Sequence, residues 1–482
     1  MELHVQELLE EVLKELSPDE EERGLVDSIV EVFTKRISEV CRRLGVKARP
    51  EVQGSIAKDT WIKGDKDIDI FIIFPPDTPI DEVKRVGLEV ARASAGDRYL
   101  ECYAEHPYVR ALVDSYMVDI VPCLEISGEV SRPLTAVDRT PLHTRFVKSR
   151  LNEKLRNNIR LLKGFMKGIG AYGAEIKVSG FSGYLCELLV LYYGSFLDVV
   201  HEASNWRPYS TVIDIASHYE DPSRALEVFK SPLVVVDPVD KNRNVAAALS
   251  LEKLSTFILA CQLFMLKPSK VFFGLGVERK EAAKLDIKSY IEKSGTALLA
   301  IATDLEPSPP DILWGQIKRS SQGLAKLLER GGFKVLRYTA WCDERLESLE
   351  ENREVVFLFE IERDEVPPTI KHVGPPVTSR HNTLKFLSKH VSSSSTVAGP
   401  FIEGDRLVVL VAKRVSEAPA LIRTEYPNAD ISKAVISAFK RRLDIALNED
   451  IVDICKRGVE DFRKSLSSFL KGAPEWLIEC FR

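Results

Sequence analysis

Residues 54–74 read GSIAKDTWIKGDKDIDIFIIF, and the reading of the fold starts from the alternation in its second half. From position 67 acids and aliphatics alternate with the period of a strand. Asp67 and Asp69 share one face, about 6.6 Å apart along the chain. Ile68, Ile70, Ile72 and Phe74 take the other face and seat the strand in a core. Two carboxylates on one rigid face suit the binding of divalent cations. Asp65 has the same parity but follows Gly64 in the preceding turn and is read as a capping residue. Upstream, Gly54 and Ser55 stand where a strand gives way to a helix from Ile56. Glycine lets the backbone approach a phosphate, and the serine hydroxyl with the free helix N–H groups supplies donors for an anion. This loop is expected to cradle a triphosphate.

Working outward, YVRALV at 108–113 and YMVDIVP at 116–122 are separated only by Asp114 and Ser115, a loop short enough for an antiparallel hairpin. If that hairpin lies beside residues 67–74, Asp119 becomes a third carboxylate. Three acids from two strands is the arrangement with which polymerases hold two metals, one activating a hydroxyl and one balancing charge on departing pyrophosphate. Asp-x-Asp alone is commonly a solvated strand edge; a Gly-Ser placed ten residues before Gly64, with the acid pair following, favours the catalytic reading.

The chain has 482 residues, about three domains' worth, with 45% hydrophobic and 29% charged content. That composition excludes small stapled scaffolds and predominantly disordered chains. A net charge of -5 denies the protein a global field for polyanions, so nucleic-acid contacts must come from local patches. Two are visible: 145–167 has eight basic residues and one acidic, and 318–337 has six and one. Eight scattered cysteines without a C-x-x-C pair argue against a zinc site and a disulfide framework, and are expected to be reduced thiols in the cytoplasm. The N-terminal stretch is acidic and amphipathic, unlike an export signal. Residues 181–200 are apolar but interrupted by Glu187 and Asp198, so they are expected to form a buried helix, with no membrane contact.

Helical periodicity covers 4–16 and 24–44 before the small sheet, and 144–266 reads as almost wholly helical. Beyond 270 the pattern turns mixed, with a helix at 315–330, strands at 333–341 and 354–362, a helix at 381–391 and a strand at 405–414. That order predicts a ferredoxin-like arrangement, followed by helix from 430. The fold class expected is multidomain α/β plus α. The domain bounds expected are 1–150 for the mixed domain with the small sheet, 151–270 for the helical domain, and 271–482 for a mixed region with a helical tail.

The Gly-Ser loop, the acid pair and the later strand aspartate resemble the nucleotidyltransferase superfamily that includes DNA polymerase β. More narrowly, GSIAKDTWIKGDKDIDIF, AEHPYV, DRTPLHT, RLLKGFMKGIGAYGAEIKVSGFSGYLCELL, DPVDKNRNVAAALS and IKHVGPPV resemble the archaeal class I CCA-adding enzymes, the tRNA nucleotidyltransferases, over about residues 20–450. The resemblance implies untemplated addition of C, C and A to the tRNA 3′ end from CTP and ATP, with Mg2+ in a two-metal site. It places the metal ligands on Asp67, Asp69 and Asp119. Nucleotide contacts fall on Ser55, Lys58, His143, Lys163 and Tyr172, and Arg243 reads the incoming base. Lys58 stands where Arg also occurs, keeping the charge without the planar fork. Glu105 and His106 match a pair near the active site. The 318–337 run is expected to grip tRNA phosphates.

Two alternatives stand beside this reading. One is a poly(A) or terminal uridylyl polymerase acting on other RNA 3′ ends; the other is an RNA-binding protein with a vestigial transferase domain, against which the intact acids count. Monomer and homodimer are left open.

Overall fold

The structure is a computed structural model that describes residues 2–103, 107–126, 135–276, 286–344, 351–412 and 415–481. The chain divides into two compact units, Met1–Glu278 together with Ala473–Arg482, and Arg279–Gly472.

The first unit begins with helices α1 (Glu2–Leu16) and α2 (Glu20–Leu44), the latter capped by Asp19, whose side chain accepts from the Glu22 N–H. A five-stranded sheet follows, of β1 (Arg49–Val52), β2 (Asp67–Phe74), β3 (Tyr99–Tyr103), β4 (Pro107–Val113) and β5 (Tyr116–Leu124), in the order β1-β2-β5-β4-β3. Helix α3 (Gly54–Lys58) follows β1, and α4 (Ile80–Ala95) follows β2. β4 and β5 form the expected hairpin, turning at Asp114 with φ +52°. β5 lies parallel to β2, with Asp69 opposite Asp119. Ile68, Ile70, Ile72 and Phe74 bury one sheet face with Phe33, Ile37, Val83 and Val90 of α2 and α4. The acids stand on the opposite face.

The rest of the unit is built on helices α5 (Ala136–Lys148), α6 (Glu153–Gly168), α7 (Gly183–Tyr193), α8 (Phe196–Ala203), α9 (Arg224–Phe229) and α10 (Leu251–Leu266). Phe165 of α6 is the hub of its core, ringed by Phe196, Phe257, Phe264, Phe272 and Phe273 at 5.6–6.3 Å. Two features differ from the sequence reading. The apolar run at 181–200 is a pair of helices bent by 94°, because Gly194 ends α7 in the left-handed region at φ +96°. Among the described residues no single helix is long and apolar enough to cross a membrane. The region expected to be almost wholly helical also contains strands β6 (Val212–Ile213), β7 (Val234–Asp237) and β8 (Asp240–Asn244). The buried valines 234–236 favour a pleated surface, and Asn244 pins them: its Oδ1 accepts from the Val235 N–H at 2.9 Å and its amide donates to the Leu233 carbonyl at 2.9 Å.

The second unit opens with α11 (Ile287–Ser294) and is dominated by β9 (Ala297–Leu305), α12 (Pro310–Arg330), β10 (Val335–Cys342) and β11 (Arg353–Ile361). A separate sheet holds β12 (Thr369–Pro376), β13 (Thr396–Glu403) and β14 (Arg406–Ala412), in the order β12-β14-β13, with α13 (Arg380–His390). After α14 (Ala418–Glu425) and α15 (Lys433–Arg441), β15 (Asp444–Leu447) returns to the main sheet, whose order is β10-β11-β9-β15, and α16 (Val459–Lys471) follows. All pairings in that sheet are antiparallel, so it has the ferredoxin-like order. Its membership differs from the expectation. The helix at 381–391 and the strand at 405–414 belong to the smaller sheet, and β9 and β15 complete the larger. β9 carries no alternation because both its faces are covered, Leu299 and Ile301 in one core and Leu298 and Ala300 in another. Helix α17 (Glu475–Cys480), expected to close the C-terminal region, belongs to the first unit, with Trp476 5.8 Å from Phe272.

Gly168 ends α6 against the backbone of the turn Lys270–Phe273, where an added Cβ would lie 2.2 Å from the Phe272 carbonyl oxygen. Backbone on both sides cannot yield cheaply. Gly168→Ala should cost about 1–3 kcal/mol, measured as a lowered midpoint in urea unfolding.

Candidate active site

The pairing of β2 with β5 is the base of the site. It sets Asp69 beside Asp119, with Asp67 two residues earlier on the same face. Packing around Asp69 and the negative charges of Asp119 and Asp67 push its carboxyl up to about 6; desolvation, offset in part by Arg110, also raises Asp67. Asp119 is held by Arg110, its register partner on β4, through a two-pronged pair with both contacts at 2.7 Å. As the side chains stand, no three Asp, Glu, His or Cys groups among the described residues converge on one point as a metal cluster. The donor chemistry nevertheless fits a hard divalent cation. The carboxylates repel one another, and a guanidinium already acts as countercharge to one of them.

The Gly-Ser loop lies against these acids. The Gln53 N–H donates to the Asp69 carbonyl at 2.9 Å. Gly54, at φ +68°, passes so close that a Cβ there would sit 2.1 Å from Asp69 Oδ2. Only glycine fits that conformation and that gap. Ser55 follows in the first turn of α3, half-buried.

Lys58 ends α3, and its ammonium donates to Glu187 Oε2 at 2.5 Å. The other oxygen of Glu187 accepts from the Thr60 hydroxyl at 2.6 Å and from Lys163 at 3.3 Å. Lys163 also donates to the Thr60 carbonyl at 3.0 Å. Each element is placed by local sequence: Asn152 caps α6, which carries Lys163, and Ser182 caps α7, which carries Glu187. Glu187 and Lys163 are both 1% exposed. Burial works to raise the Glu187 carboxyl, but Lys58, Lys163 and Thr60 outweigh it and hold it below the ordinary range. Tyr172 lies on the same side, its hydroxyl 2.9 Å from where a Cβ of Gly183 would be, and the Lys167 ammonium is 5.4 Å from its ring centre. Asp65, read as a cap, accepts from the Ile62 N–H and also pairs with Lys167.

A second shared carboxylate organises the remaining residues. Asp237, fully buried at the end of β7, accepts from His143 Nε2 at 2.8 Å and from Arg243 Nη1 at 2.7 Å through one oxygen. Its other oxygen accepts from the Val239 N–H at 3.0 Å. His143 comes from α5, which starts at a capping box of Thr135 and Asp138. Its ring stacks on Tyr184 at 4.0 Å, and the Lys58 ammonium is 5.8 Å from the Tyr184 ring centre. Burial lowers the His143 pKa more than Asp237 raises it. The neutral ring therefore carries its proton on Nε2, facing the carboxylate, and leaves Nδ1 as an acceptor.

The residues chosen from sequence thus fall along connected contacts, from the acids through Gly54 to Lys58, then to Lys163 on one side and His143 and Arg243 on the other. Sequence reasoning did not assign Glu187, Asp237, Thr60 or Arg110. Glu187 had a signal, as a charge interrupting an apolar run; Asp237 and Arg110 lay inside quoted strings without one. Glu105 and His106 lie outside the described residues. Three of the eight basic residues at 145–167 are internally committed: Arg160 to Asp59, Lys163 to Glu187 and Lys167 to Asp65.

Comparison with known proteins divides the chain in three. Residues 34–143 match the nucleotidyltransferase domain, 157–274 the tRNA nucleotidyltransferase second domain, and 294–448 the CCA-adding enzyme C-terminal domain. The CCA-adding enzyme of Pyrobaculum islandicum is 40% identical over 88% of this chain and 94% of its own length. That of Methanothermobacter thermautotrophicus is 35% identical over 95% and 97%, and that of Methanopyrus kandleri 37% identical over 98% of each.

An Asp69 carboxyl near 6, above its unfolded value of about 3.9, makes the folded state the stronger proton binder between those values. Its ionisation therefore costs the metal-free fold stability as pH rises through 6, and Asp69→Asn should raise the metal-free melting temperature at about pH 7.5 by roughly 2 °C or more. The same proton competes with a cation, so the divalent metal needed for half-maximal activity should climb steeply below about pH 6. Calorimetry and metal titrations at several pH values measure both effects.

Proposed function

The chain belongs to the archaeal CCA-adding enzymes, nucleotidyltransferases that add CCA to tRNA, and on that premise we propose how its residues carry the reaction. The family rests on similarity over nearly the whole chain, and the observation that supports a nucleotidyl-transfer site is the Asp69–Asp119 register with Gly54 seated against Asp69. Substrates of the class are tRNA and nucleoside triphosphates, and a divalent metal is generally used. Here Asp67, Asp69 and Asp119 would hold two Mg2+ ions. Metals held by these carboxylates would supply a lower pKa for the tRNA 3′-hydroxyl and countercharge for the pyrophosphate released when that hydroxyl oxygen bonds to the α-phosphorus.

The chain's own residues position the nucleotide. Ser55 and the N–H groups of α3 receive triphosphate oxygens, with Lys58 and Lys163 supplying positive charge beside them. Tyr172 and His143 contact the nucleotide, His143 offering the acceptor Nδ1. Arg243, held at one nitrogen by Asp237 and about a third exposed, presents its remaining donors to the acceptor edges of cytosine and adenine, from CTP and ATP. In this reading 1–150 performs the chemistry, 151–270 reads the nucleotide and 271–482 grips tRNA, partly through 318–337. All eight cysteines are free, which suits a reducing cytoplasm. Near-full-length similarity to CCA-adding enzymes disfavours the poly(A) or uridylyl polymerase alternative.

Incubating the protein with tRNA lacking its CCA end and labelled CTP and ATP should add two cytidines and then one adenosine; long homopolymer tails would overturn the reading. Asp67→Ala, Asp69→Ala and Asp119→Ala should each abolish addition while tRNA affinity stays within a few-fold, and a variant adding CTP near the wild-type rate would remove that residue from the metal site.

Arg243→Ala should narrow the preference for CTP over UTP by roughly ten-fold, the scale of about 1–3 kcal/mol for a lost base contact. Equal losses of kcat/KM for CTP, UTP and ATP would assign Arg243 a structural role instead.

A further inference from the structure

The buried cluster of Lys58, Lys163, Thr60 and Glu187 has a charge balance that folding alone does not explain. It contains two ammonium groups and one carboxylate, all at most 6% exposed. A buried ion cluster seldom outperforms a well-packed apolar one, and although the Lys58 charge also acts on Asp69, the hydrogen-bonded cluster itself carries one positive charge in excess. An apolar side chain would continue α7 at position 187, where Leu185, Leu188, Leu189 and Val190 are all buried. The surplus cation lies beside the loop assigned to the triphosphate, since Lys58 ends the helix that begins at Gly54 and Ser55. An arriving polyanion would remove the imbalance.

We propose that Glu187 is a positioning residue for nucleotide binding, which fixes the Lys58 and Lys163 ammonium groups beside the triphosphate site while leaving one positive charge for the phosphates to neutralise. This rests on the assignment of Lys58 and Lys163 to the triphosphate. The contacts give Glu187 the geometry for it: one oxygen takes Lys58, the other takes Thr60 and Lys163, so both lysines are oriented from a single carboxylate anchored in the helical core. Thr60 ties the arrangement to the polypeptide after α3, because its carbonyl accepts from Lys163. Lys163 also depends on Glu187 for its charge. Burial depresses its pKa, the Glu187 carboxylate works against that, and the other titratable groups around it are Lys58, Asp65, Tyr172 and Cys186. The neighbouring α1 and the turn Lys270–Phe273 present Leu16 and Phe272 to α6.

Glu187→Gln keeps the shape and removes the charge. Binding of CTP and of ATP to the full-length protein, measured by calorimetry from about pH 6.5 to 9, should weaken alike for both bases, by about ten-fold or more at the alkaline end and by less than about three-fold at the acid end. The sign follows from Lys163: without the carboxylate it loses its proton at lower pH, and a neutral amine does not attract phosphate. Steady-state kinetics should place the loss in KM, with kcat within a few-fold. Equal weakening at every pH, or unchanged affinity with only a lower melting temperature, would overturn the proposal. Should Glu187→Gln fail to fold, Glu187→Asp retains the charge and must keep the wild-type pH dependence; an alkaline loss of affinity there would overturn it equally. Lys58→Ala and Lys163→Ala distinguish the two levels of inference. If both bind CTP like wild type, the triphosphate assignment itself fails; if they weaken binding and Glu187→Gln does not, only the role of Glu187 falls.

Discussion

Repulsion among the carboxylates of the palm sheet is the constraint around which the first unit is organised. Unassisted, side chains of like charge on neighbouring strands would relax apart. They are kept together by strand pairing that fixes Asp69 opposite Asp119 and by an apolar face beneath, where Ile68, Ile70 and Ile72 are almost fully buried. The energy for that comes from area removed from water, about 25 cal/mol for each Å². Arg110 relieves part of the repulsion from the far side of β5. The result is a surface that holds negative charge in a fixed place and is stabilised by any cation that reaches it.

The positive half of the site follows a related pattern. Two buried carboxylates each serve several donors: Glu187 takes Lys58, Lys163 and the Thr60 hydroxyl, and Asp237 takes His143 and Arg243. Sharing one acceptor fixes the separation of the paired donors and lowers the entropy lost when a ligand arrives. Three basic residues of 145–167 likewise hold the protein's own acids, Arg160 with Asp59, Lys163 with Glu187 and Lys167 with Asp65.

The sequence was most readable where the physical period was simple. The β2 strand, its acid pair and the β4–β5 hairpin stand at or within a residue or two of their expected bounds because acids alternate with buried aliphatics where β2 begins and around Asp119, although Phe71, Ile73, Val121 and Cys123 bury the second face further along. β9 was not readable, since a strand covered on both faces shows no alternation and resembles any apolar run. The bend at Gly194 was hidden for a similar reason: uniform apolarity carries no directional signal. Within the candidate site, Ser55 and the three acids came from the residue pattern and Lys58, His143, Lys163, Tyr172 and Arg243 from motif resemblance, whereas the groups that orient them came from neither. Glu187 and Asp237 act by completing hydrogen bonds across 129 and 94 positions of sequence, and such partners become visible only once the chain has folded.

The return of the last ten residues to the first unit has a consequence for how the protein is made. Trp476 and Cys480 belong to the same apolar core as Phe165, Phe272 and Leu16. On the ribosome, where synthesis proceeds from the N-terminus, residues 279–472 are translated before the segment that completes that core. The interior of the first unit is therefore finished last, after the whole second unit has emerged. A polypeptide released early leaves this core without helix α17, so premature termination is registered as an incompletely packed fold in the first unit rather than as a simple loss of chain from the second.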